Sequence, residues 1–120
     1  MKFLQLICIE NETTDEQDEH MSRDVFPWVE DTIAGRINIT GKPLDVPTSA
    51  RTVRVRDGES LISDGPFADT KEFIGGFDLL SCETFDEAIG WAAKHPIARF
   101  HQIESAASST SDVVNRGNGR

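Results

Sequence analysis

The sequence predicts an α+β fold: an antiparallel sheet, two helices on one face of it, and an inserted hairpin. Three observations point there. Strand-like and helix-like hydrophobic patterns alternate along the chain. Two segments open with a capping box, Thr14 with Gln17 and Thr84 with Glu87. Asp57-Gly58 lies between two short β-prone runs, the strongest two-residue hairpin signal.

The first strand is Lys2–Ile9. Phe3, Gln5, Ile7 and Ile9 fall on one face, and Leu4, Leu6 and Cys8 on the other. Both faces are largely apolar, so both need covering. Met21, Val25, Trp28, Val29 and Ile33 then follow a helical stripe. Pro27 inside it should kink or split the helix, and Gly35 suits its C-terminal end. Arg36–Thr40 reads as a short strand, and Gly41–Ser49, with two prolines, as a loop. Arg51–Arg56 and Glu59–Ser63 form the hairpin. Phe73–Cys82 is a further strand. Phe85, Ala88, Ile89 and Ala92 give the second helix its apolar side, and Pro96 ends it. Phe100–Glu104 is the last strand. The order strand, helix, strand, hairpin, strand, helix, strand is the ferredoxin-like plan with an insertion. The domain is expected over 1–104, with 105–120 a flexible tail rich in Ser, Asn and Gly.

At 120 residues the chain suits one domain with a modest core. It carries a net charge of −9, which argues against nucleic acid as a partner. Nine acids lie between Glu10 and Asp31 and read as a solvated helix face. Hydrophobic content of 38% and a mean hydropathy of −0.37 suit a soluble domain, and no apolar run reaches the ~18 residues a membrane span needs. Cys8 and Cys82 lack metal-ligand spacing and read as buried free thiols in a reducing, cytoplasmic setting.

Asp64-Gly65-Pro66-Phe67, followed by Lys71, Glu72 and Phe73-Ile74-Gly75-Gly76-Phe77, resembles the DGPF signature of the YCII-related family. Thr52–Gly58 before it and Phe85–Pro96 after it resemble the same family, over roughly residues 1–104. The resemblance implies a dimeric α/β barrel joined through sheet faces, which would cover the second apolar face of the first strand. It also implies a His–Asp catalytic dyad, for which His20 and Asp64 are the candidates. Some relatives are associated with sigma factors. The family's last strand commonly ends in a Val-Arg-Pro-like sequence, whereas here Ile103-Glu104 runs into Ser105-Ala106-Ala107.

Read from the residues, Asp64 can cap its own turn or act as a base at a strand end. His20 is a natural proton shuttle but sits among acids. Arg54 alternates with two valines and could clamp a carboxylate. Asp78 falls on the face opposite Phe77 and Leu79 and, if buried, needs a partner such as Arg54. Lys71 and Glu72 could wall a binding pocket. His95, just before Pro96, suits a helix C-terminal cap, and Trp28 and Trp91 suit packing. No P-loop, dinucleotide fingerprint, zinc-protease or serine-hydrolase pattern occurs, so no cofactor or metal is expected. The functional expectation is a small cofactor-free enzyme moving a proton on a small anionic substrate, working as a homodimer. The alternative is a non-catalytic ligand-binding or regulatory accessory protein.

Overall fold

The computed structural model describes residues 1–10, 14–45, 47–65 and 72–108. A four-stranded antiparallel sheet has the order β2-β5-β1-β6, with β1 Lys2–Glu10, β2 Asn38–Pro43, β5 Glu72–Ser81 and β6 Gln102–Ala107. Helices α1 (Asp15–Ala34) and α2 (Phe85–Lys94) connect its strands. Strands β3 (Arg51–Arg56) and β4 (Glu59–Asp64) form a separate two-stranded sheet. The expected α+β class, antiparallel sheet and inserted hairpin are all present.

Phe3, Trp28, Ile37, Leu80, Cys82 and Ala88 form the buried core, with Val29 and Trp91 against it. The Phe3 ring meets the Phe85 ring at 5.0 Å between centroids. Trp28 Nε1–H donates to the Trp91 carbonyl oxygen at 2.9 Å, tying the two helices together. Both helices therefore lie on the face that carries Phe3 and Leu80. Thr14 and Gln17 close the expected capping box of α1. At α2 the Thr84 hydroxyl accepts from the Glu87 N–H, while the Glu87 carboxylate accepts from the Glu83 N–H rather than from Thr84.

Three local expectations are corrected, while Gly35 caps the C-terminus of α1 as expected. Pro27 does not split α1, which runs unbroken over Asp15–Ala34. Gly35 ends that helix with right-handed dihedrals; Arg36, at φ 58°, takes the left-handed position. The loop expected at Gly41–Ser49 instead begins as strand, because β2 runs to Pro43 on the sheet edge, where a proline costs no ladder bond. Finally β6 continues to Ala107. Ser105, Ala106 and Ala107 pair with Gln5, Leu4 and Phe3, and the Ser108 N–H donates to the Lys2 carbonyl. Residues 105–107 thus belong to the sheet, and 109–120 lie outside the described residues.

Candidate functional site

The two faces of the sheet differ. On the helix side Gln5 stands opposite Asp78 across β1 and β5, and Gly41 opposite Asp78 across β2 and β5. Gln5 is 1% exposed and donates through Nε2 to the Ala88 carbonyl at 3.2 Å. Next to this row, α1 leaves a cavity of about 640 Å³ between itself and the sheet. Ile7, Ile9, Met21, Val25, Val29 and Ile97 supply its apolar lining, and Lys42, Asp78 and His95 its three titratable groups.

Asp78 is 7% exposed. No hydrogen bond or ion pair reaches its carboxyl among the described residues. Burial raises its pKa from 3.8 to about 6, because an ionised carboxylate loses hydration there. That places it within reach of both protonation states near neutrality, as a general acid or base requires.

His95 follows the end of α2 and opens the 3₁₀ turn Pro96–Arg99. It is 2% exposed and its ring lies 4.6 Å from the Trp28 ring. The Ile97 N–H donates to its Nδ1 at 3.1 Å. Burial lowers its pKa to about 4, so the imidazole is neutral at physiological pH. His95 is the C-cap of α2, as the sequence suggested. Pro96 then turns the chain inward, and His95 goes beneath α1 with Pro96 and Ile97, which are also buried.

The other sequence candidates lie apart from this cavity. Asp64 ends β4 opposite Arg51, and its largely exposed carboxylate pairs with the Arg51 guanidinium at 3.1 Å. His20, on α1, touches Arg23, lies 3.8 Å from the Glu16 carboxylate and faces the Phe100 ring. Neither lines the cavity. Arg54 sits in the hairpin opposite Leu61, in a different sheet from Asp78, so the expected Arg54–Asp78 pair does not form. Glu72 pairs with Glu10 in the ladder. Lys71, Pro66 and Phe67 lie outside the described residues.

A smaller groove of about 390 Å³ runs between α1 and the end of α2, lined among others by Asp24, Trp91, Lys94 and Arg99. The Arg99 guanidinium, 2.7 Å from Asp24, holds that carboxyl below its usual range. Among the described residues no group of three or more His, Cys, Asp or Glu could hold a metal ion. No described helix is long and apolar enough to cross a membrane.

The family model for the YCII-related domain matches residues 1–106. The chain belongs to the YCII-related family. A relative from Rhizobium meliloti (strain 1021), an uncharacterised protein, is 40% identical over 81 residues, 64% of this chain and 62% of its own length. Among solved structures, the YCII-related chain is similar to 5-chloro-2-hydroxyhydroquinone dehydrochlorinase from Burkholderia phenoliruptrix AC1100, in complex with 2,5-dihydroxybenzoquinone. That likeness has a TM-score of 0.50 and 16% identity over 92% of this chain and 96% of the other. It shows a shared fold.

Proposed function

We propose that this YCII-related protein is a small cofactor-free enzyme that moves a proton on a small molecule bound between α1 and the sheet. One observation carries the reading. Asp78 presents a nearly buried carboxyl, with a pKa of about 6, to an apolar cavity of about 640 Å³. A structural carboxylate would normally find a buried partner; this one faces space a ligand can fill. Asp78 takes the role of base. The substrate that suits it brings a removable proton to that end and keeps any anionic group away from the carboxylate. The fold neighbour is named a dehydrochlorinase and holds a small dihydroxylated quinone. The cavity suits a small, largely apolar molecule, and we take a ring compound as that molecule's class.

The homodimer belongs to the same proposal. Leu4 pairs with Leu79 and Leu6 with Phe77 on the sheet face turned away from the helices. All four are only partly buried in the single chain, and Ile74 beside them is 47% exposed. A second copy laid face to face would cover them, closing the α/β barrel.

A thermal-shift screen with small aromatic acids, phenols and cyclic ketones tests the site, since a ligand that binds only the folded state raises its melting temperature. At least one ring compound should stabilise the wild type and lose that effect in Asp78→Asn. Equal stabilisation of both proteins would remove Asp78 from the site. Stabilisation without turnover would favour the accessory-protein reading.

A further inference from the structure

The His95 side chain is tightly constrained for a polar group beside an apolar core. Its Nδ1 is committed as an acceptor to the Ile97 N–H at 3.1 Å. A neutral imidazole with an accepting Nδ1 carries its proton on Nε2. Trp28 fixes the ring plane from one side, and Trp28 is itself held by its bond to the Trp91 carbonyl. The ring is therefore a rigid donor of fixed tautomer. No acceptor for Nε2–H occurs among the described residues, and His95 lines the same cavity as Asp78.

From this we infer that His95 is the second polar contact of the substrate: its Nε2–H holds a carbonyl or enol oxygen while Asp78 exchanges a proton with the adjacent carbon or hydroxyl. The inference rests on the cavity reading above and narrows its substrate class to cyclic ketones and their enols. The chemistry balances without a co-reactant. The substrate C–H bond next to the carbonyl breaks, and its proton passes to the Asp78 carboxylate. The C–H electron pair becomes the enolate double bond, and the carbonyl π pair moves onto the oxygen that Nε2–H hydrogen-bonds. Return of the proton from Asp78, to the same or a conjugated carbon, regenerates the carboxylate. A neutral imidazole suits this task, since it stabilises the developing oxyanion while keeping its own proton. The apolar walls from Ile7, Ile9, Met21, Val25 and Val29 hold the carbon skeleton.

The test uses the full chain labelled with ¹⁵N-histidine, which reports only His20, His95 and His101, and with ¹³C-methyl isoleucine, which reports the cavity methyls. Cyclohexanone is the probe and cyclohexene the shape control without an oxygen. In the free protein the His95 nitrogens should show the Nε2–H tautomer from pH 6 to 8. Cyclohexanone should shift the His95 Nε2 resonance, and cyclohexene should perturb the cavity methyls of Ile7 and Ile97 without moving it. In D₂O the protein should speed α-deuteration of cyclohexanone at least tenfold over buffer. His95→Gln should lower that rate, and Asp78→Asn should abolish it.

An Nδ1–H tautomer, or equal binding of both probes with Nε2 unmoved, overturns the role of His95 and leaves the cavity reading standing. A shifted Nε2 without deuteration overturns the proton-transfer step and keeps the oxygen contact. Failure of either probe to perturb any cavity methyl overturns the cavity reading itself. The wild-type resonances decide these outcomes even if His95→Gln does not fold.

Discussion

Gly41 faces Asp78 across the β2–β5 ladder, and the Asp78 carboxyl occupies the space a side chain at Gly41 would need. A Cβ there would overlap Asp78 Oδ1 and stand only 3.0 Å from the Phe77 carbonyl oxygen. The glycine thus decides where the carboxyl points. Gly41→Ala should turn Asp78 away from its present position, lower its pKa toward 3.8 and weaken ring-compound binding. Overpacking against the Phe77 backbone should cost about 1–3 kcal/mol. A ¹³C titration of the Asp78 carboxyl, beside a thermal melt, checks both; an unchanged pKa would mean that Gly41 does not set the carboxyl's environment.

The two buried cavity groups should pull stability in opposite directions with pH. The folded-state pKa of Asp78, about 6, lies above its usual 3.8. The folded state therefore holds the proton more tightly, and stability falls as pH rises from about 4 to 6. His95 has the reverse sign. Its folded pKa, about 4, lies below its usual 6.5, so stability rises over pH 4–6.5 as the unfolded imidazole gives up its proton. Each swing is on the order of 1–2 kcal/mol, once reduced for the solvent that still reaches the cavity. The wild type should show little net contribution from this pair between pH 4 and 6. Asp78→Asn should gain stability relative to wild type as pH rises through that window. Urea melts of both proteins at pH 4, 5, 6 and 7 measure the difference, and a constant gap would contradict the buried, ionising Asp78.

Much of the fold was legible because local chemistry and global packing agree. The Thr14 capping box, the Asp57-Gly58 hairpin and the alternation in Lys2–Ile9 each act over a few residues, and each is present. Asp78 was legible too, since strand parity alone puts it on the face opposite Phe77 and Leu79. His95 was not. Its burial depends on the Pro96 turn delivering it beneath a helix some seventy residues earlier in the chain, and periodicity does not report such distances. Arg54 misled for the same reason in reverse: alternation gives its face, but not that β3 leaves the main sheet. The end of β6 was missed because Ser105-Ala106-Ala107 offers few apolar side chains, whereas its pairing with Gln5, Leu4 and Phe3 rests on backbone hydrogen bonds.

Two glycines should respond oppositely to the same change. Gly65 has φ +87°, its N–H donates to the Ala50 carbonyl at 2.8 Å, and its carbonyl accepts from the Thr52 hydroxyl at 3.0 Å. No atom of the described residues lies within 4 Å of its Cβ position, so among them only the backbone conformation resists a side chain. Gly65→Ala should cost about 1 kcal/mol, and the β-branched Gly65→Val more, for holding an L-residue in that region. Gly90 lies inside α2 with nothing among the described residues within 4 Å of a Cβ. Gly90→Ala should therefore stabilise by about 0.5–1 kcal/mol. Thermal melts of the pair check both signs; equal effects would show that neither backbone argument holds.

Adjacent leucines on β5 separate folding from assembly. Leu80 faces the helices, is fully buried and pairs with Phe3; Leu79 faces the other way and pairs with Leu4. Leu80→Glu should unfold the protein, because an unpaired charge would enter the core. Leu79→Glu should leave the fold intact and shift the sedimentation coefficient from dimer to monomer at micromolar concentration. A wild-type monomer would remove the proposed sheet-to-sheet dimer altogether.

Truncation should separate the contribution of the β6 edge from that of the residues past Ser108. A chain ended after Ser108 keeps the pairing of Ser105, Ala106 and Ala107 with β1 and the Ser108 N–H bond to Lys2. A chain ended after Glu104 loses all of these. The loss exposes backbone groups of Lys2 and Leu4 on the central strand, each worth about 0.5–1.5 kcal/mol when its hydrogen bond is made. It also opens the edge of β1 to pairing with another chain. The longer truncation product should melt at the full-length temperature, and the shorter several degrees lower with a greater tendency to aggregate. Equal melting temperatures for the two would show that the end of β6 adds no stability. A drop already in the longer product would place a stabilising contact beyond Ser108.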